Sequence, residues 1–177
     1  MIFEKTEIPG VLLIPLEKRS DDRGFLARIY GADEFAKEGI DFHPVQAYYN
    51  HSLKKGTMRG LHVQLAPAQS GRLSRCIRGE LYHVVVDLRP ESPTYMKWQG
   101  FQFKASDSKM LFVPKGVAQG ALSLVDETEF ESWYDHPFTA ESETGIRYDD
   151  PAFNIQWPIP VEIVSEKDLS WPKFEKK

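Results

Sequence analysis

At 177 residues the chain is long enough for one well-buried domain and too short for two of ordinary size, so a single domain, 1–177, is expected. Its 41% hydrophobic and 27% charged residues are those of a soluble globular protein, and a net charge of −4 argues against a nucleic-acid partner, whose binding face would be basic. The lone cysteine, Cys76, excludes an intrachain disulfide and fits a reducing compartment.

The opening stretch MIFEKTEIPGVLLIPLEKRS sets charged residues around only a short apolar run, so neither a signal peptide nor a membrane span is expected, and the protein reads as cytoplasmic. Strand signals then dominate. VLLIPL, GFLARIY, RLSRCIRG, LYHVVVDLR, GFQFKA and MLFVPKG are short runs bounded by Gly, Pro, Asp or Ser. CIRGELYHVVVD reads as two strands joined by a tight turn at Arg78-Gly79-Glu80. Only GADEFAKEGI (31–40) reads as a helix. The tail SEKDLSWPKFEKK is polar, with Trp171 and Phe174 available to anchor it. Many evenly spaced strands predict an all-β sandwich or barrel, a jelly roll with short peripheral helices.

The stretch GTMRGLHVQLAPAQSGRLSRC puts polar side chains into this strand pattern. With a period of two, Gly60, His62 and Gln64 share one face, and Arg59, Leu61 and Val63 the other. Beyond the bend, Arg72, Ser74 and Cys76 share a face opposite Leu73, Arg75 and Ile77. Two readings of this row are open: His62, Gln64 and Arg72 line a polar interior pocket, or they sit solvated on an outer strand. A metal needs three or four imidazole, carboxylate or thiolate ligands. LHVQ lacks a His-x-His pair, Gln119 stands where a second-motif histidine would, and His43, His51, His83 and His136 are scattered, so no metal is expected. Cys76 reads as an inert strand hydrophobe.

DDRGFLARIY (21–30), GTMRGLHVQ (56–64), GRLSRC (71–76), VVVDLRPESPTYMKW (84–98), VPKGVAQG (113–120), GIRYDDP (145–151) and IQWP (155–158) follow one another along the chain. Together they closely resemble the dTDP-4-dehydrorhamnose 3,5-epimerase family, from about Ile8 to Asp168. The resemblance implies a cupin-type jelly roll, a homodimer, and neither metal nor cofactor. It implies a nucleotide-linked 4-keto-6-deoxyhexose as substrate, in deoxysugar or surface-polysaccharide biosynthesis. By motif match His62 is the base, Asp168 its carboxylate partner, and Arg72 stands where the family has a lysine for the C4 oxygen. Arginine keeps the charge and offers a planar fork of donors. Arg23 and Arg59 match diphosphate-binding arginines, and Gln46, Asn50, Gln64, Gln119, Ser132 and Phe138 are the further candidates for substrate contact.

The sequence also departs from the family. The family's catalytic tyrosine falls on Ser132, a second tyrosine on Phe138, and the histidine of Ala-His-Gly on Gln119. Leu26, Ala27 and Arg28 stand where the family commonly has aromatics and a glutamate against the nucleotide base. In an EFESWY strand, Tyr134 points the same way as Ser132, displaced by roughly 7 Å, which makes it a candidate substitute acid; Tyr48, Tyr49 and water are others. The reading reached is a cofactor-independent epimerase inverting C3, C5 or both. The alternatives are an impaired nucleotide-sugar-binding homologue and a related cupin 3,4-ketoisomerase. Retention of His62, Arg72 and Asp168 together favours catalysis.

Overall fold

The computed structural model describes residues 1–174. Strands β1 (Glu4–Lys5) and β2 (Leu12–Pro15) lead into the hairpin β3 (Arg19–Asp21) and β4 (Gly24–Leu26), then helix α1 (Ala32–Lys37). Strands β5 (Gln46–Ser52), β6 (Met58–Gln64), β7 (Arg72–Arg78) and β8 (Glu80–Asp87) follow. After them come β9 (Trp98–Lys104), β10 (Lys109–Val113), β11 (Val117–Ser123), β12 (Thr128–Tyr134), β13 (Glu143–Gly145) and helix α2 (Glu166–Leu169). They build a six-stranded sheet, β1-β2-β10-β7-β12-β5, and a five-stranded sheet, β13-β6-β11-β8-β9.

The alternation of the strands decides how the sheets stack as a jelly roll. Cys76, Leu111, Val113 and Phe130 of one sheet meet Leu81, Val85, Phe101, Phe103, Val117 and Ala121 of the other in a shared core. The intervening residues are buried too. On the outer face of the five-stranded sheet, Leu61, Val63, Val84, Val86 and Leu122 pack under the segment carrying Phe153, Ile155 and Phe174. On the outer face of the six-stranded sheet, Leu73, Met110 and Phe112 pack against Phe35 of α1 and Phe42. This explains the unbroken Val84-Val85-Val86 run: both faces of β8 are covered, so neither position is polar. Each such burial contributes about 1.5–3 kcal/mol.

One expectation holds and two need correction. The tight turn at Gly79, where φ is +74°, joins β7 and β8 as expected, and because these strands lie in different sheets it forms a corner between them. A Cβ there would stand 2.9 Å from Thr128 Oγ1, which adds a steric reason for glycine. GFLARIY is extended only over Gly24–Leu26; Ile29 and Tyr30 turn in against the Phe35 cluster. A second helix, α2, lies in the tail that read as merely polar, with Ser165 Oγ capping it by accepting from the Asp168 N–H at 3.1 Å. Trp171 and Phe174 do anchor the tail, against His62 and Phe153; Glu175–Lys177 lie outside the described residues.

Candidate active site

At one end the shared core gives way to a cavity of about 240 Å³ between the sheets. His62 and Gln64 reach it from β6, Arg72 from β7, Gln119 from β11 and Tyr134 from β12, with Gln46, Tyr48, Phe138 and Glu143 around the mouth. The row of His62, Gln64 and Arg72 therefore lines an interior pocket. Period two is the cause: Leu61 and Val63 on the other face of β6 go into the outer core.

His62 Nε2 and Asp168 Oδ1 are 2.6 Å apart, and Asp168 Oδ2 accepts the Gly60 N–H at 3.1 Å. Gly60 has φ +106°, and a Cβ there would lie 2.7 Å from the Gln119 carbonyl oxygen. Glycine thus lets β6 run close to β11 and turn its N–H toward the carboxylate. Asp168 is buried, and burial alone would raise its pKa. The hydrogen bond and charge of His62, with the Gly60 N–H and Ser165, outweigh that and hold it below the ordinary value. A carboxylate on Nε2 fixes the ring and favours the tautomer with Nε2 protonated. Nδ1 is then left as the nitrogen that can take a proton. Trp171 stands edge-on to the His62 ring at 6.4 Å.

Arg72 is 9% exposed. Its Nη2 donates to Ser132 Oγ at 2.8 Å and its Nε has no partner. No carboxylate among the described residues lies within ion-pair distance of it. Its guanidinium carbon lies 5.2 Å from the centre of the Tyr134 ring, which itself meets Tyr48 edge-on at 5.5 Å. The pairing of β12 with β7 puts Ser132 beside Ser74 and Tyr134 beside Arg72. Both β12 side chains face inward, as the spacing predicts. Ser132, however, is sealed beneath Arg72, and Tyr134 is the one that lines the cavity.

Other predicted contacts are placed differently. Gln46 Oε1 accepts the Phe138 N–H at 2.7 Å and its amide nitrogen meets the Tyr48 hydroxyl. Gln64 Oε1 accepts the Thr139 N–H at 2.6 Å while its Nε2 donates to the Ala68 carbonyl at 2.9 Å. Both glutamines line the cavity, but their amides pin the segment 137–139. Asn50 is outside the cavity, donating to the Phe130 carbonyl at 3.3 Å. Arg59 lines a second cavity of about 360 Å³ on the other side of His62, with Thr57, Ser165, Lys167 and Asp168. Arg23 lines neither; it is paired with Asp21 on the exposed β3–β4 hairpin. Tyr49 is exposed on the edge strand β5, turned away from Tyr48. Cys76 is buried in the core, where burial pushes its thiol up to about 11. Among the described residues, no three His, Cys, Asp or Glu side chains gather as a metal cluster would.

Sequence reasoning gave no role to His83, Glu143 or Lys167. His83 lies fully buried behind Gln119, while Lys167 pairs with Glu143 and sits 5.6 Å from the Phe138 ring centre at the cavity mouth. A histidine inside an otherwise apolar strand was the available signal for the first.

Fold and site together define a cupin-type jelly roll whose open end presents a carboxylate-oriented imidazole beside an uncompensated guanidinium. Residues 5–176 match the family model described as dTDP-4-dehydrorhamnose 3,5-epimerase. A relative so named from Sinorhizobium fredii (strain NBRC 101917 / NGR234) is 39% identical over 175 residues, covering 98% of this chain and 90% of its own. The crystal structure of dTDP-4-dehydrorhamnose 3,5-epimerase from Elizabethkingia anophelis NUHP1 superposes with a TM-score of 0.95 at 32% identity, over 98% of this chain and 96% of the other. That of dTDP-6-deoxy-D-glucose-3,5-epimerase from Legionella pneumophila Philadelphia 1, in complex with dTDP-4-keto-L-rhamnose, does so at 0.89 and 31%, over 96% and 90%. The chain belongs to the dTDP-4-dehydrorhamnose 3,5-epimerase family, isomerases that act on carbohydrates.

Proposed function

We propose that this protein inverts C3, C5 or both of a nucleotide-linked 4-keto-6-deoxy sugar, in deoxysugar biosynthesis and without a cofactor. The observation that carries the reading is the 2.6 Å contact between His62 and Asp168 at the wall of the cavity. A C–H beside a ketone is weakly acidic, and removing its proton needs a base on one face and stabilisation of the enolate oxygen. His62 Nδ1 takes the proton, and Asp168 compensates the imidazolium that forms. The electron pair of the C–H bond becomes the enolate π bond, and the negative charge on O4 falls to Arg72. Inversion needs a new proton from the opposite face. Tyr134, opposite Arg72 in the register, is the donor in this reading; its phenolate recovers a proton from solvent, and the His62 imidazolium releases to solvent the one it took.

The second cavity extends the site past His62. Arg59 and Lys167 suit it to a diphosphate, for which guanidinium forks are well shaped. Arg23, on its exposed hairpin with Phe25 and Leu26, reaches a substrate only across a homodimer, so a dimer belongs to the reading. Among the described residues no helix is long and apolar enough to cross a membrane. One unpaired cysteine favours the cytoplasm.

Proton NMR in deuterium oxide tests the reaction. With a thymidine-diphosphate 4-keto-6-deoxyhexose, and other nucleotides in parallel, the H3 or H5 signal is expected to disappear, with a changed coupling pattern where inversion follows. Folded protein that exchanges neither proton with any nucleotide would refute catalysis and favour a binding protein. A light-scattering mass of one chain would refute the dimer.

A further inference from the structure

The floor of the cavity holds a pair that the mechanism above does not use. Gln119 stands directly across from His62 in the β11–β6 pairing, and one diagonal step from His83 in the β11–β8 pairing. These three side chains share the inward face of the sheet. His83 is 2% exposed, and its Nε2 lies 3.1 Å from Gln119 Oε1. The amide nitrogen of Gln119 has no protein partner among the described residues, and Gln119 lines the cavity. Arg72 lines the same cavity, nine-tenths buried, with no carboxylate among the described residues at ion-pair distance and a bare Nε. A buried cation without a counter-charge is costly, so the site gains when an anionic oxygen enters.

We propose that Arg72 and the Gln119 amide form a two-donor cradle for the keto oxygen and the enolate it becomes, and that His83 is the positioning residue that turns the Gln119 N–H groups into the cavity. This deepens the epimerase reading and rests on it. An amide can present either its oxygen or its nitrogen, and the neighbour decides which. Burial first, and then the charge of Arg72, keep the His83 imidazole neutral, with its pKa lowered to about 3 although the bond to Gln119 opposes this. A neutral ring has a single N–H. Donated from Nε2 to Oε1, it leaves the Gln119 NH₂ facing the ligand. Both cradle groups are then donors, and only one is charged, so the second adds a hydrogen bond without repelling the first. A keto oxygen has two lone pairs and accepts from both. A hydroxyl on the same carbon carries a proton that it must turn away from both donors, and it develops no negative charge for them to meet. The cradle therefore selects 4-keto over 4-hydroxy sugar nucleotides.

Three measurements test this on the intact protein. Nitrogen-15 NMR of the resting protein is expected to show the His83 proton on Nε2. A proton on Nδ1 would turn the Gln119 oxygen inward and overturn the cradle whatever the activity. In calorimetric titration, wild type is expected to bind the thymidine-diphosphate 4-keto-6-deoxyhexose at least about tenfold more tightly than its 4-hydroxy counterpart, with that ratio shrinking in Gln119→Leu. Equal ratios in the two proteins would overturn the selection. In deuterium wash-in, Gln119→Leu and His83→Leu are each expected to lose about 10²-fold in kcat with little change in KM. Their double variant should be no worse, and His83→Gln, which keeps a donor near the Nε2 position, should recover most of the rate. Wild-type rates in His83→Leu, or additive losses, would overturn the positioning role. Wild-type protein that shows the Nε2 tautomer and the keto preference but no exchange would instead sink the epimerase reading and the enolate role together, leaving a keto-sugar binding site.

Discussion

The rim and the floor of the cavity each hold a histidine on the inward face of the same sheet, in opposite surroundings. At the rim, His62 has a carboxylate partner, touches both cavities and packs against Trp171 from the tail. At the floor, His83 has an amide partner, is sealed from water and faces the charge of Arg72. The rim gives its ring a carboxylate and access to both cavities, and the floor gives its ring neither. The two roles are written in the partners and not in the residue type.

Breaking the rim is expected to have the larger effect. His62→Ala removes the only imidazole among the described residues that lines the cavity, and deuterium wash-in at H3 and H5 should fall by about 10²–10⁴-fold with the circular dichroism unchanged. A variant that still exchanges would move the base elsewhere. Asp168→Asn keeps the shape but offers an amide where the ring needs an anion. A loss of about 10²-fold is expected, read as a fall in kcat at constant KM.

Tyr134→Phe sharpens the contrast from the side of the acid. It keeps the ring against Arg72 and Tyr48 and removes only the hydroxyl. Net inversion is expected to drop by about 10–100-fold while wash-in at the carbon facing His62 persists, because abstraction and return of a proton on one face need no second acid. Equal loss of both would make Tyr134 a wall of the site and no more than that.

The rim was far easier to read from the sequence than the floor. Strand period puts His62 and Gln64 on one face, and Ser132 and Tyr134 on another, but it leaves open whether the row with Arg72 lines a pocket or a solvated strand, and the family resemblance makes the choice. Asp168 came only through its resemblance to a family motif. Its helix has four residues, too few to show a 3.6 period, and the Ser165-x-x-Asp168 cap was its one local sign. His83 and Gln119 are 36 positions apart, and which residues of β8 and β11 stand side by side is set by register, which neither segment carries alone. Arg23 and Asn50 show the converse. Motif matching assigns them to a ligand, but in a single chain one sits on an exposed hairpin and the other bonds the neighbouring strand. Where a residue's role depends on a second copy or on a distant register, local sequence holds too little to place it.

The floor leaves a signature in stability at higher pH than the rim's carboxylate does. With its pKa lowered to about 3, folded His83 stays neutral through the range where the unfolded chain, near the ordinary 6.5, takes up a proton. Between those values the unfolded state binds more protons, so stability rises with pH there. The contribution is complete above about 6.5 and is lost progressively as pH falls toward 3, by at most about tenfold in the folding equilibrium per pH unit. Asp168 adds a loss of the same sign at lower pH. Its pKa is held below the ordinary 3.8, so its contribution is present above that value and disappears as pH falls through the folded one. His83→Gln removes the first component and keeps the second. Urea midpoints measured from pH 7.5 down to pH 4.5 should therefore fall clearly in wild type and much less in His83→Gln, while above pH 7 the slopes of the two proteins coincide. Parallel curves throughout would mean that His83 is protonated in the folded protein, and the sealed, neutral floor would have to be abandoned.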